Sequence, residues 1–284
     1  THHALAAITP LATDVRAHQP PPLTVALTMA LAKELRAHEP VRRVHPATSH
    51  LAMAKADYQA DYHYCYCTKS SHFAFVLDEV LKHKAHLETS SAFDINIIER
   101  LVDQRKLTNA HYIICNGFKT DAYLHRILEL RDQGLSGLTP VVDNLSEWKR
   151  LSANSTKPMD IGIRIATEEE PKFAFYTSRL GLGYNRIMPL YKEAIKDHPH
   201  LTLRMLHFFV NTGIRDTAYY WNELNKALDL YVAMRQICPT LTALNIGGGL
   251  PTKNSLAFTY DYAYMFEAIL EQVAMRCNAA GVPH

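Results

Sequence analysis

Between residues 63 and 81 the chain reads HYCYCTKSSHFAFVLDEVL, and the pattern of apolar positions changes halfway. Tyr64, Cys65, Tyr66 and Cys67 are aromatic and small apolar residues that suit a strand. From Ser71 onward, Phe73, Val76, Leu77 and Val80 recur at helical spacing, with Ser70 or Ser71 as the expected N-cap. The same exchange repeats along the chain. Strand patterns near 63–68, 86–90, 111–116, 139–143, 160–166, 201–210 and 243–248 alternate with helical patterns near 72–83, 92–105, 121–133, 145–152, 185–197, 216–236 and 260–278. Seven β-then-α units in succession predict a parallel sheet with helices outside. No glycine-rich turn follows the first of these strands, as a dinucleotide-binding sheet requires, so the spacing favours a (β/α)8 TIM-type barrel. An eighth strand is expected beyond the closing "RCNAAGVPH", and the barrel is therefore read as truncated before strand 8. Residues 1–50 are rich in Ala, His and Pro, carry a helical pattern over "TVALTMALAKELRAH", and form an N-terminal extension without assigned chemistry; 51–284 form the barrel domain.

Composition narrows the partners. Thirty basic and twenty-eight acidic residues leave a formal charge of +2 with no basic block, which argues against nucleic acid. Five cysteines without a CxxC pair point to a reducing compartment, and no apolar run is long enough to cross a bilayer, so a soluble cytoplasmic protein is expected. Sixteen histidines include no pair with metal-ligand spacing, and no metal is expected; His198 and His200 flank a proline in a loop.

In a parallel barrel, chemistry collects where strands end. Those ends read CTKSS (67–71), LETSSAFD (87–94), ICNGFK (114–119), VVDN (141–144), IRIATEEEP (163–171), LHFFVNTG (206–213) and NIGGGLP (245–251). Each places small or polar residues just after an apolar run. Gly247, Gly248 and Gly249 fit either a tight turn needing positive φ or a backbone cradle for an oxyanion. Lys69 supplies an amine that could attack an aldehyde. An aldehyde-reactive amine and a phosphate-type loop together point to pyridoxal 5'-phosphate.

With those motifs in barrel order, the chain resembles the fold-type III pyridoxal-phosphate decarboxylases, which share the alanine racemase-like fold and act on ornithine, diaminopimelate or arginine. The likeness runs from about Met53 to Tyr264 and is greatest to biosynthetic arginine decarboxylases of a divergent bacterial type. The resemblance implies a lyase that converts L-arginine to agmatine in polyamine biosynthesis, with ornithine or diaminopimelate as alternative substrates. It also implies a homodimer or higher homo-oligomer, and a C-terminal β-domain that completes the site; without it little turnover is expected. A non-catalytic cofactor carrier or a degenerate barrel are the competing readings.

The same resemblance assigns roles. Lys69 matches the lysine that binds the cofactor aldehyde covalently, although Ser71 stands where the family has Asn. Glu88 matches the acidic residue beside it, and Arg164 an arginine facing the cofactor ring. Gly247, Gly248 and Gly249 match the phosphate loop, and Thr212 a phosphate-binding serine, with Asn211 and Gly213 as further polar contacts. The family's ring-stacking histidine aligns with Phe209; His207 lies two positions earlier on the same strand face and is the possible substitute. Glu168, Glu169 and Glu170 are either a solvated loop or an attraction for a cationic substrate.

Overall fold

The computed structural model describes residues 58, 60–167, 180–251 and 259–283, together with the backbone of 24–29. Eight parallel strands close into a barrel: β1 (Thr24–Met29), β2 (Tyr62–Cys67), β3 (His86–Thr89), β4 (Ile113–Cys115), β5 (Leu138–Val142), β6 (Met159–Arg164), β7 (Leu201–His207) and β8 (Ala243–Gly247). Each strand pairs with the next, and β1 also pairs with β8. Helices α1 (Ala74–Lys82), α2 (Ala92–Asp103), α3 (Asp121–Asp132), α4 (Leu145–Asn154), α5 (Tyr184–Leu190), α6 (Ala218–Arg235) and α7 (Tyr262–Ala279) follow β2 to β8 in turn.

The seven expected β-then-α units are therefore present, nearly residue for residue. Three expectations are corrected. Thr24–Met29 is a strand, not the start of a helix, and it takes the closing place between β2 and β8; the rest of the expected helix lies outside the described residues. The N-cap of α1 is Phe73 rather than Ser70 or Ser71, because the Tyr66 hydroxyl donates to the Ser71 carbonyl, 3.0 Å away, and Phe73 is still extended. The helix expected over 185–197 is α5 followed by a single π turn at Tyr191–Ile195, with Pro189 inside α5. Thr120, Asn144, Thr217 and Asp261 cap α3, α4, α6 and α7 by accepting a backbone N–H three residues on.

The barrel is packed on both faces, which is why its strands read as nearly continuous apolar runs. Outward residues such as Leu87, Ile113, Val142, Ile163, Leu206 and Leu244 join one large core with the helices. A second cluster unites Cys65, Ile114, Val141 and Met205, with Ala243 against it. These come from strands that are not all neighbours in the ring, so they can meet only inside the barrel. They form its central plug.

Below the plug, at the amino ends of the strands, lies a histidine pair. The Tyr112 amide donates to His86 Nδ1 at 3.0 Å, so His86 carries its proton on Nε2 and donates to His63 Nδ1 at 2.9 Å. Burial pushes His86 down to about 3, helped by His63 and His111. His198, in the loop before β7, accepts the amides of His200 and Leu201 at 3.2 and 3.0 Å and sets its ring edge-on to Trp148 of α4.

Candidate active site

Because side chains alternate along a strand, the residues two positions beyond the plug also point inward, one layer nearer the carboxyl ends. From Cys65, Ile114, Val141, Met205 and Ala243 this step leads to Cys67, Asn116, Asp143, His207 and Asn245. All five are buried. The upper layer of the barrel is thus polar where the layer beneath it is apolar. Asn116 and Asp143 were not singled out from the sequence, although both stand in its strand-end motifs; the two-residue step from the plug is the signal that finds them.

Asn116 is the centre of this layer. Its amide nitrogen lies 3.1 Å from His207 Nε2 and 3.4 Å from a Glu88 carboxylate oxygen. Glu88 is buried at the end of β3, where its carbonyl also accepts the Thr68 amide and hydroxyl at 2.9 and 3.0 Å. Those bonds fasten the turn 68–70, and Lys69 sits exposed in that turn. The Lys69 charge acts on both Cys67 and His207. Burial, and then the Glu88 carboxylate, push the Cys67 thiol up to about 12, so it stays protonated and unreactive at neutral pH.

On the opposite wall, the Arg164 guanidinium stands 5.7 Å over the Phe209 ring. Burial lowers the Arg164 pKa, while Asp143 and Glu88 oppose the shift. Thr167 donates to the Phe209 carbonyl at 3.0 Å and fixes the chain beyond β7. His207 is held well below the usual imidazole range by burial first, then by Arg164, Lys119 and Lys69. His207 and Phe209 do share the inward face, while Phe208 between them is buried in the outer core.

The glycine loop closes this side. Gly247 has φ +72°, and a Cβ there would lie 2.6 Å from the Phe208 carbonyl oxygen. The loop packs on the segment after β7: Ile214 donates its amide to the Gly249 carbonyl at 3.2 Å. Thr212 is half-buried in that same segment, just before Gly213. β1 alone separates β2 from β8 in the ring, so the strands that lead to Lys69 and Gly247 lie two strand spacings apart across the sheet, about 10 Å.

Lys119 carries a second amine, and it is already engaged. It is buried, donates to the Gly117 carbonyl at 2.7 Å, and lies 3.5 Å from Glu147 and 4.0 Å from Asp143. Glu147 in turn accepts the Lys119 and Asp143 amides at 2.7 and 3.0 Å, tying the loop after β4 to the loop after β5. Burial raises the Asp143 pKa, against the pull of Lys119 and Arg164. Glu168, Glu169 and Glu170 lie outside the described residues.

Residues 45–282 match the family described as pyridoxal-dependent decarboxylase, pyridoxal binding domain. The chain belongs to that family. A biosynthetic arginine decarboxylase from Prochlorococcus marinus is 26% identical over 223 residues, covering 74% of this chain but 33% of that protein. Lysine decarboxylase from Selenomonas ruminantium superposes with a TM-score of 0.63 at 21% identity, covering 86% of this chain and 63% of its own. Diaminopimelate decarboxylase from M. jannaschi gives 0.68 at 15% identity, covering 90% and 58%. These superpositions establish the fold. The chain spans about a third of the length of the Prochlorococcus marinus relative.

The residues present fit the cofactor of a pyridoxal-binding domain. Among the described residues, His207 Nδ1, Asn116 Oδ1, both Asp143 carboxylate oxygens and Arg164 Nε are buried and without a hydrogen-bond partner. Each such atom costs about 1–3 kcal/mol when it stays unpaired, so their concentration at one barrel mouth marks a place built around a polar ligand. The glycine loop adds backbone free of Cβ atoms at the same mouth, and Phe209 adds an aromatic face. Among the described residues, no helix is long and apolar enough to cross a membrane.

Proposed function

We propose that this barrel is the cofactor-binding domain of a decarboxylase that converts L-arginine to agmatine. The observation that carries this reading is the convergence of Lys69, Glu88, Arg164 and Gly247 on one barrel mouth within a pyridoxal-binding family. Bound pyridoxal phosphate supplies an electron sink that lets an amino acid lose its α-carboxylate. The bond from the α-carbon to the carboxylate breaks, CO2 leaves, and a proton takes its place.

The remaining work belongs to the protein. Lys69 is the amine for the cofactor aldehyde; among the described residues the other amine at this mouth, Lys119, is locked among Gly117, Asp143 and Glu147. Glu88, linked through Asn116 to His207, stands beside the Lys69 turn and can hold a proton near that amine. Gly247, Gly248, Gly249 and Thr212 receive the phosphate. Phe209 forms the platform for the ring, with Arg164 across from it. The buried wall keeps water from the reacting carbon.

The name of the Prochlorococcus marinus relative supports arginine as the substrate. The test is release of labelled CO2 from arginine, ornithine, lysine and diaminopimelate by the cofactor-loaded protein carrying the C-terminal β-domain that the family resemblance implies. Release from arginine at least about tenfold above the others, and abolished in Lys69→Ala, is expected. Equal release by wild type and Lys69→Ala on every substrate overturns the reading.

A further inference from the structure

We infer that Asn116 is a positioning residue that fixes His207 as a neutral imidazole protonated on Nδ1, so that the barrel mouth offers an N–H donor to an oxygen of the bound group. This rests on the cofactor-binding reading of the mouth and adds a residue and a protonation state to it.

The argument starts from the orientation of the Asn116 amide. Glu88 Oε1 lies 3.4 Å from the position assigned to Nδ2, and His207 Nε2 lies 3.1 Å from it. Turning the amide over would set its carbonyl oxygen against a carboxylate oxygen, two acceptors facing each other. The carboxylate therefore selects the NH2 group for this position. An NH2 group facing His207 Nε2 makes that nitrogen an acceptor, and an acceptor nitrogen carries no proton. The single proton of a neutral ring then resides on Nδ1.

The surroundings keep the ring neutral. Cations face it from three elements: Lys69 after β2, Lys119 after β4 and Arg164 at the end of β6. Glu88, on β3, and Asp143, beyond β5, supply the negative charge, and Asp143 lies nearer Lys119 and Arg164. His207 is 1% exposed, so an imidazolium there would be desolvated among like charges. Nδ1 is buried and donates to nothing among the described residues, and Asn116 Oδ1 accepts from nothing. The pair presents one donor and one acceptor of no net charge.

Nitrogen-15 NMR of the histidine-labelled protein without cofactor tests this independently of any ligand, with His207 assigned by its loss in His207→Gln. The expected result is a protonated Nδ1 and an unprotonated Nε2, unchanged from about pH 8 to about pH 5.5. Asn116→Asp replaces the donor with an acceptor. It should move the proton to Nε2 and shift the ring's protonation upward, with cofactor affinity at least about tenfold weaker. A wild-type ring protonated on Nε2, or one that becomes imidazolium near its ordinary pKa, overturns the inference even if Asn116→Asp does not fold. So does an Asn116→Asp spectrum matching wild type.

Discussion

The backbones of Gly213 and Gly249 meet so closely that a Cβ built on Gly213 would lie 2.3 Å from the Gly249 carbonyl oxygen, and one on Gly249 would lie 2.8 Å from the Gly213 Cα. Both residues have positive φ, +81° and +99°. The contact joins the segment after β7 to the loop after β8, so the shape of the proposed phosphate cradle depends on it. Gly249→Ala is expected to destabilise the fold by at least about 2 kcal/mol through strain and clash together. Gly134→Ala is the control, with φ +105° and nothing within 4 Å of its Cβ. It should cost only about 1 kcal/mol. Urea unfolding of the two variants measures the difference, and equal losses would contradict the packing account.

Lys119 holds two buried carboxylates together. Lys119→Met removes the cation and leaves Asp143 and Glu147 uncompensated, an expected loss of about 3 kcal/mol in urea unfolding. The Lys82 to Glu79 pair at 3.2 Å is a solvated counterpart on α1. Lys82→Met should change stability by less than about 0.5 kcal/mol. A loss in Lys119→Met as small as that in Lys82→Met would mean the network contributes nothing.

The histidine pair beneath the plug gives the fold a pH dependence. The folded His86 titrates at about 3, below the ordinary histidine value of about 6.5. Above about pH 6.5 the ring is neutral in both states and adds nothing. Below it, the unfolded chain takes up a proton that the folded chain refuses, and stability falls by about 1 kcal/mol per pH unit until about pH 3. His63 is lowered in the same direction by burial. Urea midpoints between about pH 7 and about pH 4.5 should therefore fall less steeply in His86→Gln than in wild type, although the variant starts less stable. Parallel slopes would contradict this.

Most of the barrel was legible in the sequence because its strands are covered on both sides and its helices on one, so period and run length separate the two. β1 was not. "TVALTM" runs into "ALAKELRAH", where Leu27, Leu31 and Leu35 recur every four residues as a helical stripe does, while Val25, Leu27 and Met29 alternate as in a strand. Pairing with β2 and β8 decides it, and that pairing is a tertiary fact. The α1 cap was misplaced for a similar reason, since the Tyr66 hydroxyl captures the Ser71 carbonyl from the strand before it. Among the proposed site residues, Lys69, Glu88, Arg164 and the glycines stand out through their motifs. Asn116 and Asp143 do not stand out in the strand-end motifs, since an asparagine or aspartate at a strand end equally suits a helix cap. Only the inward register, counted from the plug, separates those two roles.

Lys69 as the amine that takes up the cofactor aldehyde is the central claim. Incubation with pyridoxal phosphate, reduction with borohydride and peptide mapping by mass spectrometry tests it most directly. The account predicts a single phosphopyridoxyl label on Lys69, with none at comparable yield in Lys69→Ala. Label spread over surface lysines to the same extent in both proteins would contradict it.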